Sequence, residues 1–282
     1  MRTIGLSLAI TLLASPLFAQ GPTGGAAGQP PAQQPAATPP AARLDPTRNK
    51  LDALLLNWEQ QMRKVETIVA EVQRIETNKI SGFTDTYVGS AKLMRPGYAA
   101  LEMKKTTNPQ IYEKYIATGN FLYEFNSIEK VVRVHEMPAN PNGPADDNFL
   151  SFLFGPKAQM VKERYDLTLV KEDQWYYYLE IVPRLAADKA EFAKARMVLF
   201  VQGFLPRQLW FEHPNGNEVK WDFPRVQANV PLDKREFTAP QIPADWKVQR
   251  MQAQPQPQGQ PQPQSQGQPQ GQPQPQPQPQ RP

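Results

Sequence analysis

The segment Arg196–Pro240 constrains the fold more than any other part of the chain. Pro214-Asn215-Gly216-Asn217 is a tight-turn sequence, because Asn-Gly accepts the positive φ angles of a two-residue hairpin. After it, Glu218–Phe223 alternates strictly, with Val219, Trp221 and Phe223 on one face and Glu218, Lys220 and Asp222 on the other. That period of two predicts a half-buried strand. Before it, Met197–Val201 and Arg207–Phe211 read as two more strands, with Gly203 at the turn between them and a final edge piece after the third. An antiparallel meander leaves a sheet face that other parts of the chain must cover.

The preceding sequence supplies more strands and one helix. Leu51, Leu54, Leu55, Trp58 and Met62 form an apolar stripe at helical spacing, with Asp45 expected as its cap and Pro46 in its first turn. Strands are expected at Thr67–Thr77, Tyr87–Met94, Tyr98–Lys104, Gln110–Thr118, Asn120–Phe125, Val131–Met137, Tyr165–Val170 and Gln174–Val182. Turn signals recur about every eight to twelve residues, the pattern of one large antiparallel sheet that curls toward a barrel. Asn148 precedes the short apolar segment Phe149–Phe154, which Gly155-Pro156 stops. So short a helix is not stable alone in water, so it is expected to insert as a lid, with a further turn at Lys157–Val161. Residues 183–195 read as a polar excursion with one helical turn.

The fold class expected is therefore α+β, mainly β: an unclosed half-barrel with an N-terminal amphipathic helix and a short helical lid. Residues 1–19 read as a secretory signal peptide, with an early arginine, an apolar run too short to span a bilayer, and Ala19 before the cut. A periplasmic or secreted location is expected. Residues 20–43, rich in Gly, Ala, Pro and Gln, and residues 251–282, a Gln-Pro repeat, are expected to be disordered flanks of one domain at 44–250. The tail favours polyproline II.

Function is first narrowed by what is missing. The chain has no cysteine, which excludes disulfides, thiolate chemistry and thiolate metal sites, and only two histidines, His135 and His213. No nucleophile elbow, phosphate loop or zinc motif occurs, and no cofactor or metal is expected. The formal charge is only +4, and Lys and Arg are interspersed with Asp and Glu, so no nucleic-acid footprint is visible. Glu102, Glu124 and Glu180 could in principle supply a glycosidase pair, but they occupy ordinary strand positions. The chain does have an aromatic and apolar surplus: Trp175-Tyr176-Tyr177-Tyr178, Phe121-Leu122-Tyr123, Leu209-Trp210-Phe211 and the 149–154 segment. It reads either as a well-filled core or as the wall of an apolar cavity between sheet and lid.

Three segments in this order resemble the LolA/LolB-like family of periplasmic lipoprotein carriers. Ser90–Pro96 followed by Tyr98–Met103 is similar to that family's strand, Arg-Pro corner and strand. Thr118–Phe125 is similar to its Asp-Gly-x-x-Leu-Trp-x-Tyr hairpin, and Arg235–Pro240 to its closing Phe-x-x-x-Pro-Pro run. The tail and lid also resemble a planctomycete-type exported subgroup. The resemblance implies a carrier that holds acyl chains between sheet and lid, with Arg95 at the corner latching the lid. The cavity residues expected are Leu93, Leu101, Met103, Phe121, Tyr123, Phe149, Leu150, Phe152, Leu153, Trp175, Tyr177 and Trp210. A lipid or an acylated lipoprotein would be the partner, envelope transport components further ones, and the protein a monomer and not an enzyme. Two alternatives stand beside this reading: an envelope interaction or sensor protein of the same fold without cargo, and a carboxylate-dependent hydrolase.

Overall fold

The computed structural model describes residues 43–137 and 157–251. The expected signal peptide, the expected flanks before residue 43 and after residue 251, and the expected lid residues Phe149, Leu150, Phe152 and Leu153 lie outside the described residues. Helix α1 (Lys50–Met62) starts later than expected. Asn49 is its cap, accepting from the amides of Leu51 and Asp52 (2.9 and 3.4 Å). Asp45 instead closes a turn on the amide and hydroxyl of Thr47. The strands follow the alternation closely: β1 (Thr67–Thr77), β2 (Thr84–Met94), β3 (Tyr98–Lys105), β4 (Asn108–Thr118), β5 (Phe121–Asn126) and β6 (Val131–Glu136). After the break come α2 (Ala158–Arg164), β7 (Tyr165–Glu172), β8 (Tyr176–Pro183), α3 (Ala186–Glu191), β9 (Lys194–Phe200), β10 (Pro206–Glu212), β11 (Glu218–Asp222), β12 (Val226–Ala228), a 3₁₀ turn at Lys234–Phe237 and β13 (Lys247–Met251).

All thirteen strands form a single unclosed, curled sheet, in the order β13-β6-β5-β4-β3-β2-β1-β11-β10-β9-β8-β7, with β12 also on β1. Two hairpin runs are joined where β11, near the end of the chain, pairs with β1, near its beginning (Arg74 opposite Trp221). Pro224 has no N–H to continue this ladder, and β12 pairs farther back along β1, with Ile68 opposite Ala228.

The inner face carries the main core. Ile68, Ala70 and Val72 of β1 meet Leu54, Leu55, Trp58 and Met62 of α1, together with Leu179 and Ile181 of β8, Met197 and Leu199 of β9, and Leu209 of β10. The outer face of the β3–β6 half has its own cover, which the residue pattern does not announce. The chain after β12 runs back across it. Phe237 packs on Tyr98 (ring centroids 5.9 Å), and Trp246 on Phe125 and Tyr112 (5.8 and 6.1 Å). The anticipated final edge piece thus becomes a strap ending in β13, which pairs with β6 in parallel, Lys247 opposite Val131. This is the one departure from an antiparallel sheet among the described residues.

The backbones of β2 and β3 approach closely at Gly89 of β2. A Cβ placed there would lie 1.8 Å from the carbonyl oxygen of Glu102 on β3, so only hydrogen fits. Gly89→Ala must push the two strands apart, and we expect it to lower stability by about 1–3 kcal/mol in urea unfolding.

Candidate functional site

Strand register sorts every predicted residue onto a face. Opposite Ile68 stands Leu93, then Ala99, Ala117 and Leu122 across β2 to β5. Opposite Ala70 stands Ala91, then Leu101, Tyr115 and Glu124. Leu93, Leu101 and Met103 therefore share the inner face; Met103 is fully buried, while Leu93 and Leu101 are only half-buried at the margin of the main core. Tyr177 also points inward and stacks on Phe204 (5.6 Å). Phe121 and Tyr123 do not join them. Leu122 holds the inner position, so its neighbours face outward, and Tyr123 packs in the separate cluster of Phe125, Val132, Val134 and Trp246. Trp210 also faces outward, opposite Arg196, whose guanidinium lies 5.0 Å over its ring. Trp175 is 63% exposed at the β7–β8 turn. Among the described residues, most of the aromatic surplus therefore lines no part of the inner face. A strand that is apolar on both sides gives no parity signal, which is why sequence reading grouped these residues.

Arg95 lies at the rim of the inner face, in the β2–β3 corner, where the Arg95-Pro96 peptide is cis. Its guanidinium donates to the carbonyl of Met62 (3.2 Å), and its amide to that of Glu66 (2.9 Å). It thus ties the corner to the C-terminal end of α1, at a carbonyl that also accepts from the amide of Val65 (3.2 Å). Helix α2 is fastened to α1 from the other side: Glu59 accepts from the amide of Ala158 (2.9 Å), and the fully buried Asp52 accepts from Lys162 Nζ (2.7 Å to each oxygen). Asp52 sits one position off the apolar stripe, and its pairing with a lysine 110 residues away left no sequence signal.

Toward the opposite end of β1 the inner face becomes charged. Arg74 continues the row of Ile68, Ala70 and Val72, yet is 1% exposed. It donates two hydrogen bonds to Glu113 of β4 (2.8 and 2.6 Å). The rings of Tyr87 and Trp221 flank its guanidinium at 4.5 and 5.2 Å. Glu76 lies 2.9 Å from Nε, but out of line for a hydrogen bond. Burial opposes the charge of Arg74, and Glu113, Glu76 and Tyr87 together outweigh it, holding the pKa above its ordinary value. Burial pushes the Glu76 carboxyl up; Arg74 pulls it back, while Glu113 and Asp85 add to the rise. Burial likewise pushes Tyr87 up to about 12. Farther along, Glu124 accepts from Arg133 (3.1 Å) and lies 3.4 Å from His135 Nε2. A groove of about 240 Å³ also lies between α1, α2 and β7, but the cations lining it, Lys162 and Arg184, already face Asp52 and Asp166.

The three carboxylates considered for a glycosidase pair do not converge. Glu102 faces outward beside Lys104 and Lys114, and Glu180 faces outward beside Lys194 on the far half of the sheet, whereas Glu124 faces inward. Among the described residues no group of His, Cys, Asp and Glu is placed to hold a metal, and no helix is long and apolar enough to cross a membrane.

Two outcomes follow from the charged row. Arg74→Met leaves Glu113 and Glu76 without their cation, at an expected cost of about 3–5 kcal/mol in urea unfolding at neutral pH. Glu76 takes its proton at higher pH in the folded chain than in the unfolded one. Between the ordinary and the raised pKa the native state therefore binds more protons, and this group's contribution makes stability fall as pH rises through that window. Glu76→Gln should flatten the slope and raise the Tm near neutral pH, as followed by circular dichroism.

No family model and no curated protein matches the chain. Solved structures do. It is similar to a conserved protein from Thermus thermophilus, at 11% identity and a TM-score of 0.44, covering 71% of this chain and 98% of that one. It is similar to MucB in the MucA/MucB complex of Pseudomonas aeruginosa, at 12% and 0.40, covering 67% and 60%. It is also similar to a LolA superfamily protein from Nitrosomonas europaea, at 11% and 0.32, covering 66% and 97%.

Proposed function

We propose that this chain is an exported, non-catalytic carrier of amphiphiles, holding the acyl chain of a lipid or acylated polypeptide against the inner face of β2–β4. The observation that carries this reading is the half-buried apolar row Ala91, Leu93 and Leu101, continuous with the main core. Arg95 stands at one end of this row and the Arg74–Glu113 pair at the other. An acyl chain gains about 0.8 kcal/mol for each methylene removed from water, so a chain of about sixteen carbons needs no catalytic group to bind. The polar end of the face could meet a headgroup, which is why an amphiphile suits it better than a pure hydrocarbon.

Native mass spectrometry of the chain purified from its own envelope fraction tests this. A co-purifying lipid or acylated peptide is expected, and Leu101→Asp, a charge set into the row, should lose it while the far-ultraviolet dichroism is unchanged. A clean apo mass, with no shift on adding fatty acid or lipopeptide, would instead favour an envelope scaffold whose inner face is closed by its own side chains.

A further inference from the structure

The aromatic run at 175–178 divides between two faces, and its outward half is unused by the reading above. Tyr176 and Tyr178 point away from the main core, since Leu179 and Ile181 hold the inner positions of β8. Phe200 stands opposite Tyr176 on β9. None of the three belongs to either core cluster. Their mounting is nonetheless firm: Asp173 accepts from the amides of Trp175 and Tyr176 (2.9 Å each) and from the Tyr178 hydroxyl (3.0 Å), and the amide of Val201 donates to the carbonyl of Trp175 (2.9 Å).

The ring angles say what such a strip fits. Tyr176 is tilted 46° to Phe200 at 5.3 Å and 69° to Tyr178 at 6.1 Å. These tilted rings are in contact with one another and form a ridged aromatic surface instead of one flat stacking face, with Lys171 Nζ 5.0 Å over the Tyr178 ring. A ridged aromatic surface suits polyproline II, a stiff helix of about three residues per turn whose proline rings lie against it at little entropic cost.

The chain carries such a ligand. Residues 252–282 are a Gln-Pro repeat whose only charged side chain is Arg281, so an apolar, hydrogen-bonding surface suits it better than a charged one. The repeat follows directly on β13, ten strand spacings from β8 in the sheet order. That is about 48 Å along the sheet, whereas a polyproline II helix of this length, 31 residues, extends about 95 Å. We propose that the Gln-Pro tail docks in cis on the outward aromatic strip of β8 and β9, formed by Trp175, Tyr176, Tyr178 and Phe200.

Amide NMR spectra of the chain from Gln20 to Pro282 and of the same chain ending at Met251 test this. Removing the tail is expected to shift the amides of 175–178 and 198–201. A (Gln-Pro)₆ peptide added in trans should move them back. Trp175→Ala and Tyr178→Ser, at sites outside both cores, should weaken the peptide about tenfold each, and Phe121→Ser, on another patch, should leave it unchanged. Spectra that differ only beside residue 251 would overturn the proposal, as would shifts at another face. Tail-dependent shifts that vanish on dilution would assign the tail of a second copy and overturn docking in cis.

Discussion

Arg74 is the interaction on which the curl of the sheet turns. It stands on β1 and bonds Glu113 on β4, three strands away. Flat, that separation is about 14 Å, so the bidentate pair can close only if β2 and β3 bend around it. Gly89 makes the bend possible, because its missing side chain lets β2 approach the backbone of Glu102. A buried ion pair is weak evidence for stability in itself, because desolvation cancels much of the attraction. Its role here is geometric: two forked hydrogen bonds and two flanking rings define one curvature.

That curvature decides how the faces are covered. Helix α1 lies against the inner face over β1 and the β8–β10 half, fastened by Arg95 at its C-terminal end and by Lys162 near its N-terminal end. The apolar row of Leu93 and Leu101 lies on the other half, at the margin of that core. The strap after β12 covers the outer face of β3–β6, so the convex side has a small core as well. The aromatic strip of β8 and β9 lies on the outside beyond that strap, with Tyr176, Tyr178 and Phe200 half-buried and Trp175 exposed.

The comparison between sequence and structure is most instructive at Phe121-Leu122-Tyr123. All three residues are apolar or aromatic, and nothing in the run says which way the odd positions point. Register with β4 decides it, since Ala117 opposite Leu122 sends Phe121 and Tyr123 outward. The same holds for Trp210, whose inward neighbour is Leu209. Glu218–Asp222, by contrast, alternates strictly, so both the strand and its inward face are legible in the residues alone. Helix α1 lies between these cases. Its apolar stripe is legible, but its start moves from Asp45 to Asn49, because two residues of capping type compete there: Asn49 accepts from the amides of Leu51 and Asp52, while Asp45 is taken by Thr47.

The sequence by itself determined most of the elements: the main strands, through alternation and turn residues, one amphipathic helix, the absence of thiol chemistry, and a Gln-Pro tail. These are local properties, set by backbone sterics and by which side chains can share a face two or about four residues apart. Tertiary structure alone decided that β11 returns to β1, that the closing segment crosses to the far edge and pairs in parallel, and that Arg74 meets Glu113. Each joins residues far apart in the chain, and the free energy that selects it comes from burying both partners together, which no local pattern records.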